Sequence, residues 1–414
     1  MEKSQGNKVL ASGWRRILEL QKALVSLDLS GGIIHRPENI YYYSGVFPNE
    51  PSFVIIPCKG EPELVVARAS YHEALRESLI PVIAGDLDIC QTVKQRLYLK
   101  GCLLKEGDTP LKKVWSSLRA KPLGVEYDFF NPQLKVNLKV EKIADICAAI
   151  QEMRMIKDKA EIEYIAEACR IADEAMMEAL PLIKPGMTER EVSGLFDRFV
   201  KAKGADESKA RVRAGKNSAF AFTKWMGGCV VEGPLLIDYG ARVKGYWSDI
   251  TRTFYVGRHP DPRFRDAYNL LHESLKKGFE KMVPGGSIYQ VEAAIRQVLS
   301  VEGLDQNMIF TAGHGVGLEI HENPVLSLYP EKAAEDGPNF PNWHQGARTY
   351  ETLVKMSKKD AGPVFQKGQV FALEPGVYLQ DIGIRIEDMV LIDDRPRFLS
   401  NFPRALEDVL IKAQ

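Results

Sequence analysis

What this chain of 414 residues lacks narrows its function before any motif is read. No apolar run approaches the roughly 20 residues that cross a bilayer, which argues against a membrane partner. The opening Met1-Glu-Lys-Ser-Gln-Gly-Asn7 has no apolar core of a secretory signal, and the expected compartment is the cytoplasm. An excess of one charge is missing too: Lys plus Arg number 55 and Asp plus Glu number 55. There is no electrostatic footprint for nucleic acid. The six cysteines, Cys58, Cys90, Cys102, Cys147, Cys169 and Cys229, contain no C-x-x-C pair. Most sit in apolar stretches, so buried free thiols are expected rather than disulfides or a thiolate metal site.

What is there is 45% hydrophobic, ample for two globular domains. Residues 1–153 alternate strand-like runs (Ile33-Ile34, Phe53 to Ile56, Leu64 to Val66) with helical stretches such as Trp14 to Val25. That alternation predicts a small α/β domain, in which Pro37 to Gly45 reads as an aromatic turn. Residues 154–414 predict an α+β domain built on a repeat. Asp158-x-x-Glu161 and Thr188-x-x-Glu191 are helix-start signals, and Ile165, Cys169, Ala172 and Met176 share one helical face. The break Pro185-Gly186 returns as Pro284-Gly285, 99 positions later, again between two helical segments. Helix, break, helix and strands, twice over, predict a pseudo-twofold domain with its site between the halves.

The candidate site lies in the strands that close each repeat. Leu235-Leu-Ile-Asp238-Tyr-Gly240 and Tyr246 to Phe254, the latter with Asp249 and Thr251, read as a hairpin. Symmetry about Val243 and Lys244 would set Asp238 directly opposite Asp249. Val370 to Gly376 and Gly383 to Met389 read the same way, with Glu374 opposite Glu387. Like charges facing across strands are destabilising, and a buried unpaired carboxylate is costly. Two such pairs in apolar strands point to a divalent cation among them. Gly313-His314-Gly315 adds an imidazole between glycines that allow close approach, and His321 follows shortly before Pro324. One nitrogen and four oxygen ligand residues suit Mn²⁺, Co²⁺ or Zn²⁺. Residues 330–367 form a long polar segment, open to reading as a lid, a partner contact or a solvated insertion.

At these residues the chain resembles the pita-bread (M24) metallopeptidase family, which includes methionine aminopeptidase, aminopeptidase P, prolidase and the metal-free creatinase. The family pattern is Asp, a second Asp eleven residues on, Gly-His-Gly, Glu-Pro-Gly and Gly-x-Arg-x-Glu-Asp, carried here by Asp238, Asp249, His314, Glu374 and Glu387. Asn39 to Gly45, Gly124-Val-Glu126 and Arg154-Met-Ile-Lys157 resemble the two-domain aminopeptidase P, prolidase and creatinase branch. That branch has a creatinase/prolidase-like N-terminal domain, here 1–153, and a pita-bread catalytic domain, here 154–414. The resemblance implies a dinuclear Xaa-Pro aminopeptidase or Xaa-Pro dipeptidase that acts on short proline-containing peptides and forms a homodimer. By it Asp238 would chelate one ion, His314 and Glu374 the other, and Asp249 and Glu387 would bridge, with a hydroxide shared by the ions as nucleophile. Glu374 would move the proton and His321 would bind substrate or stabilise the oxyanion, while Arg385 and Thr251 would orient or neutralise the carboxylates.

Two positions depart from the branch. A His usual seven residues after the glycine of Gly-x-Asn-x-Ala is Phe222 here, and one usual four residues before the metal His is Phe310. As substrate contacts both exchange a donor for an apolar wall, which fits either drift or a pocket for a more apolar substrate. His344, on the long segment, is the imidazole that could replace one of them. A non-peptidase enzyme on the same scaffold, an amidinohydrolase or lyase acting on a small molecule, is the competing reading. A binding protein that keeps the fold is a third.

Overall fold

The computed structural model describes residues 2–49, 52–67, 70–85, 121–128, 142–221, 226–327 and 362–411. The chain divides into two compact units, Met1–Arg154 and Met155–Gln414.

The first unit has helices α1 (Glu2–Ser26), α2 (Pro37–Ser44), α3 (Tyr71–Glu77) and most of α4 (Cys147–Met155). Its strands are β1 (Gly31–Ile34), β2 (Phe53–Pro57), β3 (Glu63–Ala67), β4 (Val82–Gly85), β5 (Leu123–Val125) and β6 (Ile143–Asp145). Ile17, Leu20 and Leu24, three and four apart, bury one face of α1. The sheet order is β4-β3-β2-β1-β5-β6, with β1 antiparallel to β2 and parallel to β5. Central strands covered on both sides read as unbroken apolar runs, which is why Ile33-Ile34 and Val54 to Ile56 are legible as strands.

The segment read as an aromatic turn is instead the helix α2, started by Pro37 and ended by Gly45 at φ 77°. Tyr42 and Tyr43 are core residues of that helix, so aromatic density marked packing and not a turn. The helix brings Asn39 to Glu126, whose buried carboxylate accepts from the Asn39 amide and from the backbone N–H groups of His35 and Arg36 (2.6 and 2.9 Å). Arg154 Nη1 in turn donates to Asn39 Oδ1 at 2.7 Å. Three stretches far apart in sequence thus close one buried polar network.

The second unit repeats one plan. Helices α5 (Lys159–Ala179) and α6 (Glu189–Ala202) lead into β7 (Glu207–Ala214), β8 (Gly233–Val243), β9 (Tyr246–Trp247) and β10 (Ile250–Val256). Helices α7 (Pro262–Lys281) and α8 (Tyr289–Leu299) lead into β11 (Gly313–Gly315), β12 (Glu322–Val325), β13 (Val370–Leu373), β14 (Gly376–Tyr378), β15 (Gly383–Arg385), β16 (Asp388–Leu391) and β17 (Arg397–Phe398), and β18 (Leu410–Ile411) closes the chain. Both capping boxes form, Asp158 with Glu161 and Thr188 with Glu191. The breaks at Gly186 and Gly285 hold φ of 88° and 80°, a left-handed backbone that suits glycine. One sheet runs β18-β10-β8-β7 with β9 paired to β8, a second runs β12-β11-β13-β16-β17, and β14 pairs with β15 alone.

Four described cysteines are free. Cys169 is buried and Cys58 and Cys147 are half-buried, but Cys229 is exposed, against the expectation of burial. Its backbone pairs with Thr188 ahead of β8 while the neighbouring Val230 takes the inward position. Cys90 and Cys102 lie outside the described residues.

The two halves meet where Thr251 and Glu387 exchange backbone hydrogen bonds (3.0 and 3.4 Å). Behind that junction the wholly buried Arg252 donates to Thr251 O, Glu387 O, Phe402 O and Pro403 O, and to Asp388 Oδ1 at 2.8 Å. Asp388 keeps a second partner in Arg404 (2.7 Å), so removing Arg252 chiefly takes the donor from buried backbone carbonyls, a loss of about 1–3 kcal/mol. Arg252→Met is therefore expected to lower the unfolding free energy by about that amount in urea, and a loss below about 1 kcal/mol, the range of exposed ion pairs, would contradict the assignment.

Candidate metal centre

Each acidic side chain is aimed by strand register. In the first hairpin β8 and β10 pair Asp238 with Thr251, not with Asp249. The turn is Lys244-Gly245, both at positive φ (48° and 82°), the two-residue geometry that matches strand twist. This centres the hairpin one residue later than a facing Asp238 and Asp249 require. Continued to Asp249, the register puts that residue opposite Gly240, diagonal to Asp238 on the same face and in the gap between β9 and β10. In the second hairpin β13 and β16 pair Leu373 with Asp388, and β14 and β15 pair Gly376 with Arg385. Both ladders share one register, so Glu374 and Glu387 face each other between them.

His314 sits mid-strand in β11, paired with Ala372 of β13. Its flanking glycines are required by backbone crowding: a Cβ on Gly313 would fall 1.9 Å from Ala372 O, and one on Gly315 would fall 2.6 Å from Asn323 O. His314 Nδ1 lies 3.0 Å from Gly315 O, an acceptor, which places the proton on Nδ1 and leaves the Nε2 lone pair toward the carboxylates. From Nε2 it is 3.5 Å to Glu374 Oε1 and 3.9 Å to Asp249 Oδ2.

Three sets of donor atoms each lie within 4.8 Å of one another: Asp238, Asp249 and Glu387; His314, Glu374 and Glu387; and Asp249, His314 and His321. The structure thus brings together all five residues singled out for metal binding. The exposed His321 stands with its ring 4.3 Å from that of His314. Around them, Thr251 Oγ1 donates to Glu387 Oε2 (2.5 Å), Arg385 Nη2 donates to Asp238 Oδ2 (2.6 Å), and Arg385 Nε donates to Thr251 Oγ1 (2.9 Å). Phe310 is half-buried with its ring edge-on to Tyr378 at 5.5 Å, and the Tyr378 hydroxyl reaches Arg385. Phe222, His344 and residues 330–361 of the long segment lie outside the described residues.

One contributor escapes motif reading, and a second, Lys157, stands in a family motif without an assigned role. Lys209 of β7 places Nζ 3.0 Å from Asp238 Oδ1 and 2.9 Å from Asp249 Oδ1. The signal was present in Lys209, Arg211 and Arg213, a basic alternation on one face of a strand whose register pairs Arg211 with Asp238. Lys157 Nζ bonds Glu322 Oε2 (3.1 Å) inside the protein, clamping the residue next to His321.

Burial and crowding divide the carboxyls. Burial pushes Glu374 up to about 7, with Asp249 and Asp238 adding to the rise against the pull of Arg385. Burial likewise drives Glu387 well above the carboxylate range, helped by Asp249 and Glu374. Burial would raise Asp238 too, but Lys209 and Arg385 outweigh it and hold that carboxyl low. Burial lowers His314 and keeps the imidazole neutral, the form that ligates. A neutral imidazole among carboxylates whose ionised forms crowd one another fits a hard or borderline divalent ion, whose charge would relieve the repulsion.

The pattern of metallopeptidase family M24 matches residues 163–394. The chain belongs to that family. A creatinase/prolidase N-terminal domain matches residues 16–156, which puts this M24 protein in the two-domain branch of prolidase and aminopeptidase P. It is 30% identical over 390 residues to the Xaa-Pro dipeptidase of Pyrococcus furiosus, covering 92% of this chain and 95% of that one. Among solved structures it is similar to the prolidase of Pyrococcus horikoshii OT3 (TM-score 0.77, 26% identity, 95% and 99% of the two chains). The prolidase of Pyrococcus furiosus also matches (TM-score 0.74, 28% identity, 93% and 100%). The family is one of metallopeptidases, and the clustered donors of this M24 hydrolase fit divalent ions. Its α/β N-terminal domain and α+β pita-bread domain are those anticipated.

Because Glu374 must lose its proton to ligate, affinity for Mn²⁺ is expected to fall as pH drops below about 7, read by calorimetric titration at several pH values. Stability of the metal-free protein should move the other way. With its folded pKa raised from 4.5 to about 7, Glu374 contributes stability that is complete below 4.5 and lost as pH rises through 7. Glu374→Gln should flatten both trends, and an unchanged pH profile in that variant would refute the assignment.

Proposed function

We propose that this protein is a metal-dependent exopeptidase that cleaves Xaa-Pro bonds in short peptides, as an Xaa-Pro dipeptidase or Xaa-Pro aminopeptidase. The observation that carries the reading is the convergence of His314 Nε2 with Asp238, Asp249, Glu374 and Glu387. The proposed loading is two ions of the Mn²⁺, Co²⁺ or Zn²⁺ class: Asp238 on one, His314 and Glu374 on the other, and Asp249 and Glu387 shared. When bound, such ions acidify a water and polarise the scissile carbonyl.

The chain's own residues supply the rest. Glu374, beside His314 at the centre, is assigned to take the water's proton and deliver it to the leaving prolyl nitrogen. That nitrogen carries no hydrogen in the substrate, so the proton delivered to it decides whether the amine can leave. His321, beside His314 and open to solvent, is assigned to the oxyanion or to substrate orientation. Thr251 and Arg385 hold Glu387 and Asp238 in place, and Phe310 is assigned to the apolar wall that faces substrate, with Phe222 as its proposed companion. Homodimeric assembly, drawn from the resemblance to the two-domain branch, completes the proposal, together with a cytoplasmic setting.

The test is a panel of Xaa-Pro dipeptides, Xaa-Pro-Yaa tripeptides and matched Xaa-Ala controls, assayed on metal-replete protein. Release of the N-terminal residue is expected from the proline peptides in preference to the controls. Asp249→Ala should lower kcat/KM by more than the roughly 100-fold typical of a residue that only supports a ligand. Metal-replete protein inert on every peptide would overturn the peptidase reading and leave amidine hydrolysis or a lyase reaction on the same scaffold, to be read by small-molecule product analysis.

A further inference from the structure

The Asp238 and Asp249 end of the centre already holds a cation of the protein's own. Lys209 Nζ lies between Asp238 Oδ1 and Asp249 Oδ1, at 3.0 and 2.9 Å. Its reach is built into the sheet: β7 pairs Lys209 with Gly240 of β8, and Asp249 falls opposite Gly240 on the far side. With no side chain at Gly240, the lysine crosses one strand and meets the carboxylate two strands away. Arg385 Nη2 takes the remaining oxygen of Asp238, so both oxygens of that carboxylate rest on protein cations. The His314 and Glu374 end is different. There Arg385 Nε stands 3.6 Å from Glu387 Oε2, and among the described residues no lysine forms an ion pair with Glu374, although Lys209 is close enough to act on His314 through its charge.

Charge counting gives the same division. When fully ionised, the four carboxylates facing Lys209 and Arg385 leave two negative charges, the charge of one divalent ion. A second ion becomes electrostatically favourable only when the ammonium leaves.

We propose that Lys209 is a resident cation of the Asp238 and Asp249 subsite, which competes with the divalent ion there and makes metal loading ordered. The first ion binds His314, Glu374 and Glu387 with Lys209 in place, and the second binds only as Lys209 swings away. This rests on the ligand set of the proposed function but not on its substrate.

The experiment is titration of the chelator-stripped full chain with Mn²⁺ alone, followed by calorimetry and by elemental analysis of bound metal. Wild type should show two steps, the second weaker. Lys209→Met, which keeps the stem and removes the charge, should tighten the second step by at least about tenfold and leave the first within about twofold. Lys209→Arg, which keeps a charge, should retain the weak second step. A readout that needs no variant is amine acetylation of wild type followed by mass spectrometry. Lys209 labelling should stay low through the first Mn²⁺ equivalent and rise across the second. Two ions bound with constants that Lys209→Met leaves unchanged, or labelling that rises with the first equivalent, would overturn this inference alone. Failure to bind any Mn²⁺ would overturn it together with the metal-dependent reading.

Discussion

Four carboxylates crowded between buried apolar strands repel one another, and the catalytic half of this protein is arranged around that repulsion. Left uncompensated, such groups stay protonated or force the strands apart. Here the burden is spread unevenly. Asp238 is kept ionised by Lys209 and Arg385, while Glu374 and Glu387 are pushed toward their neutral forms by burial. The centre is therefore polarised, with Asp238 held toward its charged form and the two glutamates pushed toward their neutral forms. Thr251 stands at the join, receiving a hydrogen bond from Arg385 and giving one to Glu387. The same residue carries the backbone bridge between the two halves, so the charge balance and the closure of the fold share one contact.

The pseudo-repeat gives each half the same elements but different chemistry. The first half sends in two aspartates and a basic strand. The second sends in an imidazole and two glutamates. A symmetric copy would have produced either too many cations or none. The asymmetry follows from local backbone demands: His314 needs glycine neighbours because β12 and β13 press on β11. Gly240, which Lys209 crosses, is held to glycine by the Ser248 carbonyl, 2.1 Å from where a Cβ would stand. Gly313, Gly315 and Gly240 bring no side chain of their own, yet the close approach they permit decides which side chains reach the centre.

Much of this was legible in the residues. Capping boxes, the Pro-Gly breaks and the Glu374 to Glu387 pairing follow from short-range rules that tertiary context left intact. The first hairpin was misjudged by one residue at its turn, because symmetry between two acidic residues was taken as the guide. The positive φ of Lys244 and Gly245 is what sets the register, and a Lys-Gly turn is a weaker textual signal than Asn-Gly. Lys209 was missed for another reason: the basic alternation within β7 marks a charged face, but which acids it meets depends on which strand lies beside which. The aromatic run in α2 failed as a turn because Pro37 and Gly45, read as turn residues, equally bound a short helix.

His321 raises the question of how an exposed imidazole is held against a buried centre. The answer lies one residue on, in Glu322, whose carboxylate is tied to Lys157 Nζ and to the Glu319 backbone N–H. The Lys157 and Glu322 side chains are almost wholly enclosed, at 2% and 6% exposure, and a buried pair of this kind resists separation because either charge alone is poorly tolerated. Lys157 is itself fixed, its backbone N–H donating to Gly368 O at 2.9 Å, just before β13. The loop that carries His321 is thus pinned from the entry to α5 and from the strand that leads to Glu374. A clamp on both sides holds the imidazole at a set distance from His314 without burying it, which is the combination a substrate-facing donor needs: a fixed position relative to the ligands, and a ring open to an incoming peptide.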